Sequence, residues 1–309
     1  MNNRRVKFYL ITFALLLSAN VFASGQSPQP TVQMIVTAEV RHGSNVPPIA
    51  QNEVFVYEGH DRDQVTAWIP AQRDHAALEL MILLDDGAGI SLGSQLDDIR
   101  QFVQAQPPST AIGIAYMQNG MAKVLQNPTS DHAQAAKVLR LPLGMAGIDG
   151  SPYLSLTDLI SRWPQSSARH EVLMVSDGID HVYGGGMENP YVDEAVEKAQ
   201  RAGVIVYAIY CPGVGHYDHS YWRTSYGQMY LSQLSDQTGG ESYYIGFTGA
   251  PVSFVPYMDD LNRRFGQQYL LTFIPKPQKK AGMQHIKLST EIPNVELVGA
   301  ESVYVPASE

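Results

Sequence analysis

Residues 82–93 read ILLDDGAGISLG. An apolar run that stops at two aspartates and a glycine-rich turn is a buried strand delivering its carboxyl end into a loop. The segment SQLDDIRQFVQ that follows puts Leu96, Ile99 and Val103 on one helical face, and Pro107 and Pro108 end it. Strand, polar loop and helix are the opening unit of an open α/β sheet, whose ligands gather outside the carboxyl ends of the strands. Three kinds of site begin this way: a metal-binding loop, a phosphate cradle, and the elbow that presents a nucleophilic serine.

The same texture continues downstream. AIGIAYM and MAKVL flank Gln118-Asn119-Gly120 and predict a hairpin, because Asn-Gly supplies the positive φ of a tight turn. DHAQAAKVLRL predicts a helix from Asp131, and PYLSLTDLISRW another with Pro152 in its first turn. HEVLMVSD and VIVYAIYC are two further buried strands, separated by the amphipathic helix DEAVEKAQRAG that Gly203 closes. GQMYLSQLSDQTGG and FVPYMDDLNRRFG are helices on either side of a short edge strand, ESYYIG. The flanks differ. VQMIVTAEV, NEVFVYEG and QVTAWIPA precede this unit, and QYLLTFIPK, HIKLSTEIP and NVELVGAESVYVP follow it, all rich in β-formers. Each flank alone is too small for a stable core. The expectation is that residues 34–76 and 267–309 pair into one β-sandwich, with an α/β domain over 77–266 inserted between them.

The first 23 residues carry Arg4, Arg5 and Lys7 ahead of the short apolar run FYLITFALLLSANVFA, with Val21 and Ala23 at cleavage spacing. That is the form of a secretory signal peptide, followed by a polar Pro/Ser linker over 24–33. Its removal takes away three basic residues and no acidic ones, moving the formal charge from −9 to −12. An acidic surface disfavours nucleic acid as a partner. No later segment is long and apolar enough to span a bilayer. Cys211 is the single cysteine, so no intrachain disulfide forms and no lipid-bearing cysteine follows the cleavage point. The expected location is secreted or periplasmic.

Three loops reach the carboxyl end of the expected sheet: Asp85-Asp86-Gly87-Ala88-Gly89, Gly150-Ser151-Pro152, and Ser176-Asp177-Gly178-Ile179-Asp180. Together with LSQLSDQTGGESYYI and the order of elements, they resemble a von Willebrand factor type A (vWA) domain over about residues 77–266. With their β flanks, notably QQYLLTFIPKP, they resemble the exported bacterial "VWFA-related" group. The resemblance implies an open, mostly parallel, doubly wound sheet with helices on both faces. It also implies a metal-ion-dependent adhesion site built from Asp-x-Ser-x-Ser, a threonine and an aspartate. Those positions fall on Asp85, Gly87, Gly89, Ser151 and Asp177. The two glycines lack the hydroxyls that would touch magnesium or calcium, so the site reads as degenerate, with Asp85, Ser151 and Asp177 the remaining ligands if any cation binds. Asp86 and Asp180 add negative charge at the rim.

The other two machines fail locally. A phosphate cradle needs Gly-x-Gly-x-x-Gly, but Leu92 holds the last position. Gly89-Ile90-Ser91-Leu92-Gly93 matches Gly-x-Ser-x-Gly, yet Ser91 lies six residues past Asp85, too far from its strand for a serine-hydrolase nucleophile. The stretch CPGVGHYDHSYWRTSYGQ offers an aromatic contact loop with His216, Tyr217, His219, Tyr221 and Trp222. The expected function is therefore non-enzymatic binding of a protein, peptide or polymer outside the cytoplasm, with no cofactor. A cation-dependent adhesin is one alternative, and a serine hydrolase with Ser91 in Gly-x-Ser-x-Gly is the other.

Overall fold

The computed structural model describes residues 30–41, 46–88, 92–144, 150–213, 220–244 and 252–307. An α/β unit and an antiparallel β unit share the chain. The α/β sheet contains β4 (Leu78–Asp85), β5 (Thr110–Gln118), β6 (Met121–Thr129), β7 (Arg169–Ser176), β8 (Val204–Tyr210) and β9 (Ser242–Tyr243). Its order is β6-β5-β4-β7-β8-β9, parallel throughout except for the edge strand β6. β6 turns back on β5 because Asn119 and Gly120 take φ of 51° and 67°.

Helices cover both faces. Even-numbered side chains of β4, from Leu78 to Leu84, pack under α1 (Leu92–Ala105), α2 (His132–Lys137) and α6 (Val255–Gly266). Met81 and Leu83 face α3 (Pro152–Arg162), α4 (Pro190–Ala202) and α5 (Tyr221–Thr238). β4 is the first strand of this sheet and lies at its centre, flanked by the second and the fourth. The strand order reverses there, so the loops after β4 and β7 diverge and leave a crevice between them.

Strands from both flanks form the second unit. β1 (Val32–Val40), β2 (Val54–Glu58) and β3 (Asp61–Pro70) join β10 (Gln268–Ile274), β12 (Lys287–Thr290) and β13 (Val295–Gly299) in the order β12-β2-β3-β10-β1-β13. β11 (Gly282–His285) pairs with β14 (Ser302–Val305). β3 bends the sheet: its first three residues pair with β2 and its remainder with β10. The two ends of the strand order, β12 and β13, then pack on each other, folding the sheet over a core of Val36, Val54, Val56, Trp68, Leu271 and Phe273.

The chain crosses between the units at two adjacent points, tied by Ala71 N–H to Gln268 C=O at 2.9 Å. Arg264 seals the junction. It is 5% exposed and donates to Glu39 of β1 and to Glu241 and Asp260 of the α/β unit. The backbone at Gly239 lies so close to Gly299 that a side chain there would collide at 2.7 Å.

Three boundaries depart from the sequence reading. β3 begins at Asp61, not Gln64, because the Gly59-His60 turn, with Gly59 at φ 63°, closes a tight hairpin onto β2. α2 stops at Lys137, and Arg140 leaves the helical path to reach Asp86. α5 begins at Tyr221, so Tyr221 and Trp222 lie in the first turn of a helix, not in a loop.

Candidate functional site

The first loop leaves β4 at Asp85, whose carboxylate accepts from the Gly87 amide at 2.8 Å and the Ser176 hydroxyl at 2.7 Å. Burial raises the Asp85 pKa, and these two donors pull it back. Asp86 belongs to a different neighbourhood. It is fully buried and takes a two-pronged ion pair from Arg140, at 2.6 and 2.8 Å, with the Leu143 amide at 3.2 Å. The Arg140 guanidinium lies 3.9 Å from the centroid of the Tyr116 ring. The Tyr116 hydroxyl accepts from the Arg140 amide and donates to its carbonyl. The expectation that Asp86 adds free charge to the rim is corrected: Arg140 neutralises it inside the fold.

The second loop presents Ser151 as the N-cap of α3, accepting from the Leu154 amide at 3.3 Å. Its hydroxyl donates to Asp180 Oδ2 at 3.0 Å. The third loop begins at Ser176. Asp177 accepts from the Ile179 amide at 2.8 Å, and Gly178 adopts φ 70°. This loop presses against α5: a side chain on Gly227 would meet the Asp177 carbonyl at 2.3 Å, so only glycine fits there. Asp180, 2% exposed, collects the Val182 and Tyr183 amides, the Ser151 hydroxyl and the Asn189 side-chain amide. Unlike Asp86 it meets no cationic side chain among these partners: four neutral donors fix its position in the loop and leave its charge in place. The His181 amide donates to the Gly150 carbonyl at 2.8 Å and joins the second and third loops.

Asp85, Ser151, Ile179 and His181 line one cleft with Met117, Gln118 and Gly120 of the β5–β6 turn. Its space is about 10 Å³, room for about one water molecule. Gly89, Ser91, His216, Tyr217 and His219 lie outside the described residues. Cys211, 2% exposed at the end of β8, has its thiol pushed up to about 12 by burial, which leaves it protonated and unreactive.

A magnesium ion would require about six oxygens in near-octahedral array. Gly87 and Gly89 bring none from side chains. Ser151 and Asp180 spend their hydrogen-bonding capacity on each other and on the backbone. Among the described residues no three His, Cys, Asp or Glu side chains converge as metal ligands. The donors present do not make up an adhesion-type metal set.

The sequence matches no family model and no curated protein. Among solved structures it is similar to an aerotolerance-related membrane protein from Bacteroides fragilis, at 14% identity and TM-score 0.42, covering 61% of this chain and 98% of that one. It is also similar to the SpRpn10 VWA domain, at 14% identity and TM-score 0.39, covering 62% of this chain and 97% of that one. A third, the human COPII-coat protein Sec24c, has 7% identity and TM-score 0.43, covering 75% of this chain and 44% of that one. The strand order and the three converging loops are features of this chain itself. They match the layout that the vWA resemblance of the sequence implied, and on that ground we call the α/β unit vWA-like.

Beside the vWA-like loops stands an apolar rim. Met187 is 76% exposed, Trp222 67% and Tyr221 61%, and Val182 and Tyr183, on the same loop as Met187, are exposed too. Trp222, Tyr226 and Tyr230 repeat every four residues along α5, so they share one face, and the Tyr226 and Tyr230 rings stack at 6.2 Å. Tyr230 also donates to the Gly186 carbonyl, fastening the loop of residues 183–187 to this helix. Arg140 and Asn189, which complete the polar framework, carried no motif of their own in the sequence. No helix among the described residues is long and apolar enough to cross a membrane.

Proposed function

We propose that this chain is an exported binding protein that engages a protein, peptide or polymer at the carboxyl end of its vWA-like sheet, without a bound cation and without catalysis. The exposed rim of Tyr221, Trp222, Tyr183 and Met187 carries this reading. Large apolar and aromatic side chains left in solvent beside a rigid scaffold are the usual anchors of an interface. The neighbouring carboxylates support the non-catalytic part, because each is occupied by donors within the fold. The apolar N-terminal stretch supports export.

Affinity capture with the full chain as bait, from an envelope extract, tests the reading. A partner held equally in the presence of EDTA and lost with Trp222→Ala supports it. Release by EDTA overturns metal independence in favour of the adhesin. Covalent labelling by a fluorophosphonate probe overturns the non-enzymatic reading and restores a serine hydrolase.

A further inference from the structure

Alternation along β2 extends the core-facing row Val54, Val56 to Glu58, and along β3 it carries Asp61, Asp63 and Val65. The register sets Glu58 opposite Asp61 and Val56 opposite Asp63, so three carboxylates lie on one side of the hairpin, Glu58 and Asp63 enclosed and Asp61 exposed at the turn. Like charges directly opposite each other weaken a strand pair. Lys276, just beyond β10, answers part of this charge. Its ammonium pairs with Asp61 and lies 3.5 Å from the Glu58 carbonyl oxygen.

Glu58 and Asp63 are left over. They are 8% and 5% exposed, both more than nine-tenths enclosed. Glu58 Oε1 and Asp63 Oδ2 meet no hydrogen-bond donor among the described residues. A buried carboxylate oxygen without a donor is costly, and Lys276, through its amide to Glu58 and its charge near both groups, answers only part of that cost. Burial, with the Glu58 charge beside it, pushes the Asp63 carboxyl up to about 6.

We propose that Glu58 and Asp63 hold a calcium ion at the β2–β3 hairpin, on the opposite unit from the adhesion-site loops. The donors are all oxygen, which selects a hard cation over zinc or copper. Two carboxylates and an irregular surround suit calcium, which accepts variable geometry and several waters, better than magnesium. Since no third acidic or histidine side chain converges with them, water completes the sphere. Affinity is therefore expected in the weak range of extracellular calcium modules, about 10⁻⁴–10⁻³ M.

The test is thermal unfolding and calorimetric titration of the full chain with calcium chloride near neutral pH. Calcium at about ten times its Kd should raise Tm by roughly 2–4 °C. The shift should vanish in the Glu58→Gln/Asp63→Asn double variant, which should itself fold at least as stably as the parent without calcium. It should persist in Asp85→Asn, and Lys276→Gln should tighten binding by roughly 3- to 10-fold by removing a competing cation. A silent wild type, or a shift that survives the double variant, overturns the proposal. A shift lost in Asp85→Asn alone also overturns it, and moves the ion to the vWA-like loops. If the wild type ignores calcium but gains stability on acidification, and the double variant does not, a shared proton replaces the cation.

Discussion

Asp85, Asp86 and Asp180 at the end of the vWA-like sheet and Glu58 and Asp63 at the β2–β3 hairpin are equally acidic and similarly enclosed, yet they are built on opposite plans. The first group is surrounded by donors: two for Asp85, Arg140 with an amide for Asp86, and four for Asp180. The second group has one oxygen on each side chain with no donor, and its neighbouring ammonium is held by Asp61. Acidic content alone therefore does not locate a cation site. The balance of donors and acceptors around each carboxylate separates charge that serves as scaffold from charge that requires a counter-ion.

The contrast is broken most severely at Arg140. Arg140→Ala leaves the Asp86 carboxylate buried and unpaired, and the expected loss is about 3 kcal/mol in denaturant unfolding, the low end for a broken buried pair because Arg140 is partly exposed. A loss below about 1 kcal/mol, the range of a surface pair, would place Asp86 in contact with water and erase the distinction.

At the hairpin the sign reverses. Asp63→Asn should stabilise the calcium-free protein at neutral pH by about 1–2 kcal/mol, because it removes an ill-matched charge from an enclosed site. The pH dependence follows from the folded pKa, about 6, lying above the ordinary 3.8. The folded state holds this proton more tightly, so the contribution is fully present below about 4, declines as pH rises to about 6, and is absent above. Stability curves of the wild type and Asp63→Asn should diverge across that window and run parallel above it.

Ser151→Ala sharpens the comparison on a smaller scale. It removes the cap of α3 and one of four donors to Asp180, for an expected loss of about 1 kcal/mol. Because three donors remain, Asp180 should stay in place, and the amide protection of Val182 and Tyr183 in hydrogen exchange should change little. Trp222→Ala is the smallest perturbation. A side chain this exposed should alter stability by less than about 0.5 kcal/mol while abolishing partner capture.

The α/β architecture was legible because strands covered on both faces read as unbroken apolar runs, as in ELMILLD and HEVLMVSD. Asn119-Gly120 and Gly203 marked their turns for the same local reason, a need for positive φ. Long-range pairing was not legible. Arg140 and Asp86 are 54 residues apart, and nothing local about Arg140 identifies it as the partner. The first turns of α5 mix aromatic and polar residues without an apolar stripe, so Tyr221 and Trp222 read as loop. HDRD falls between the expected strands NEVFVYEG and QVTAWIPA and belongs to neither. Only when β3 is extended back to Asp61 does the two-residue alternation place Asp63 on the inward phase beside Glu58.

The paired crossings at Ala71 and Gln268 have a mechanical consequence. Both β1, the first described strand, and β14, the last, belong to the β unit, while the vWA-like unit leaves and re-enters through neighbouring strands clasped by Arg264. Tension applied along the chain from its two ends therefore runs through the β unit and bypasses the inserted one. A partner gripping the rim of the vWA-like sheet would pull instead across the Arg264 clasp. The two directions of load therefore meet different parts of the molecule.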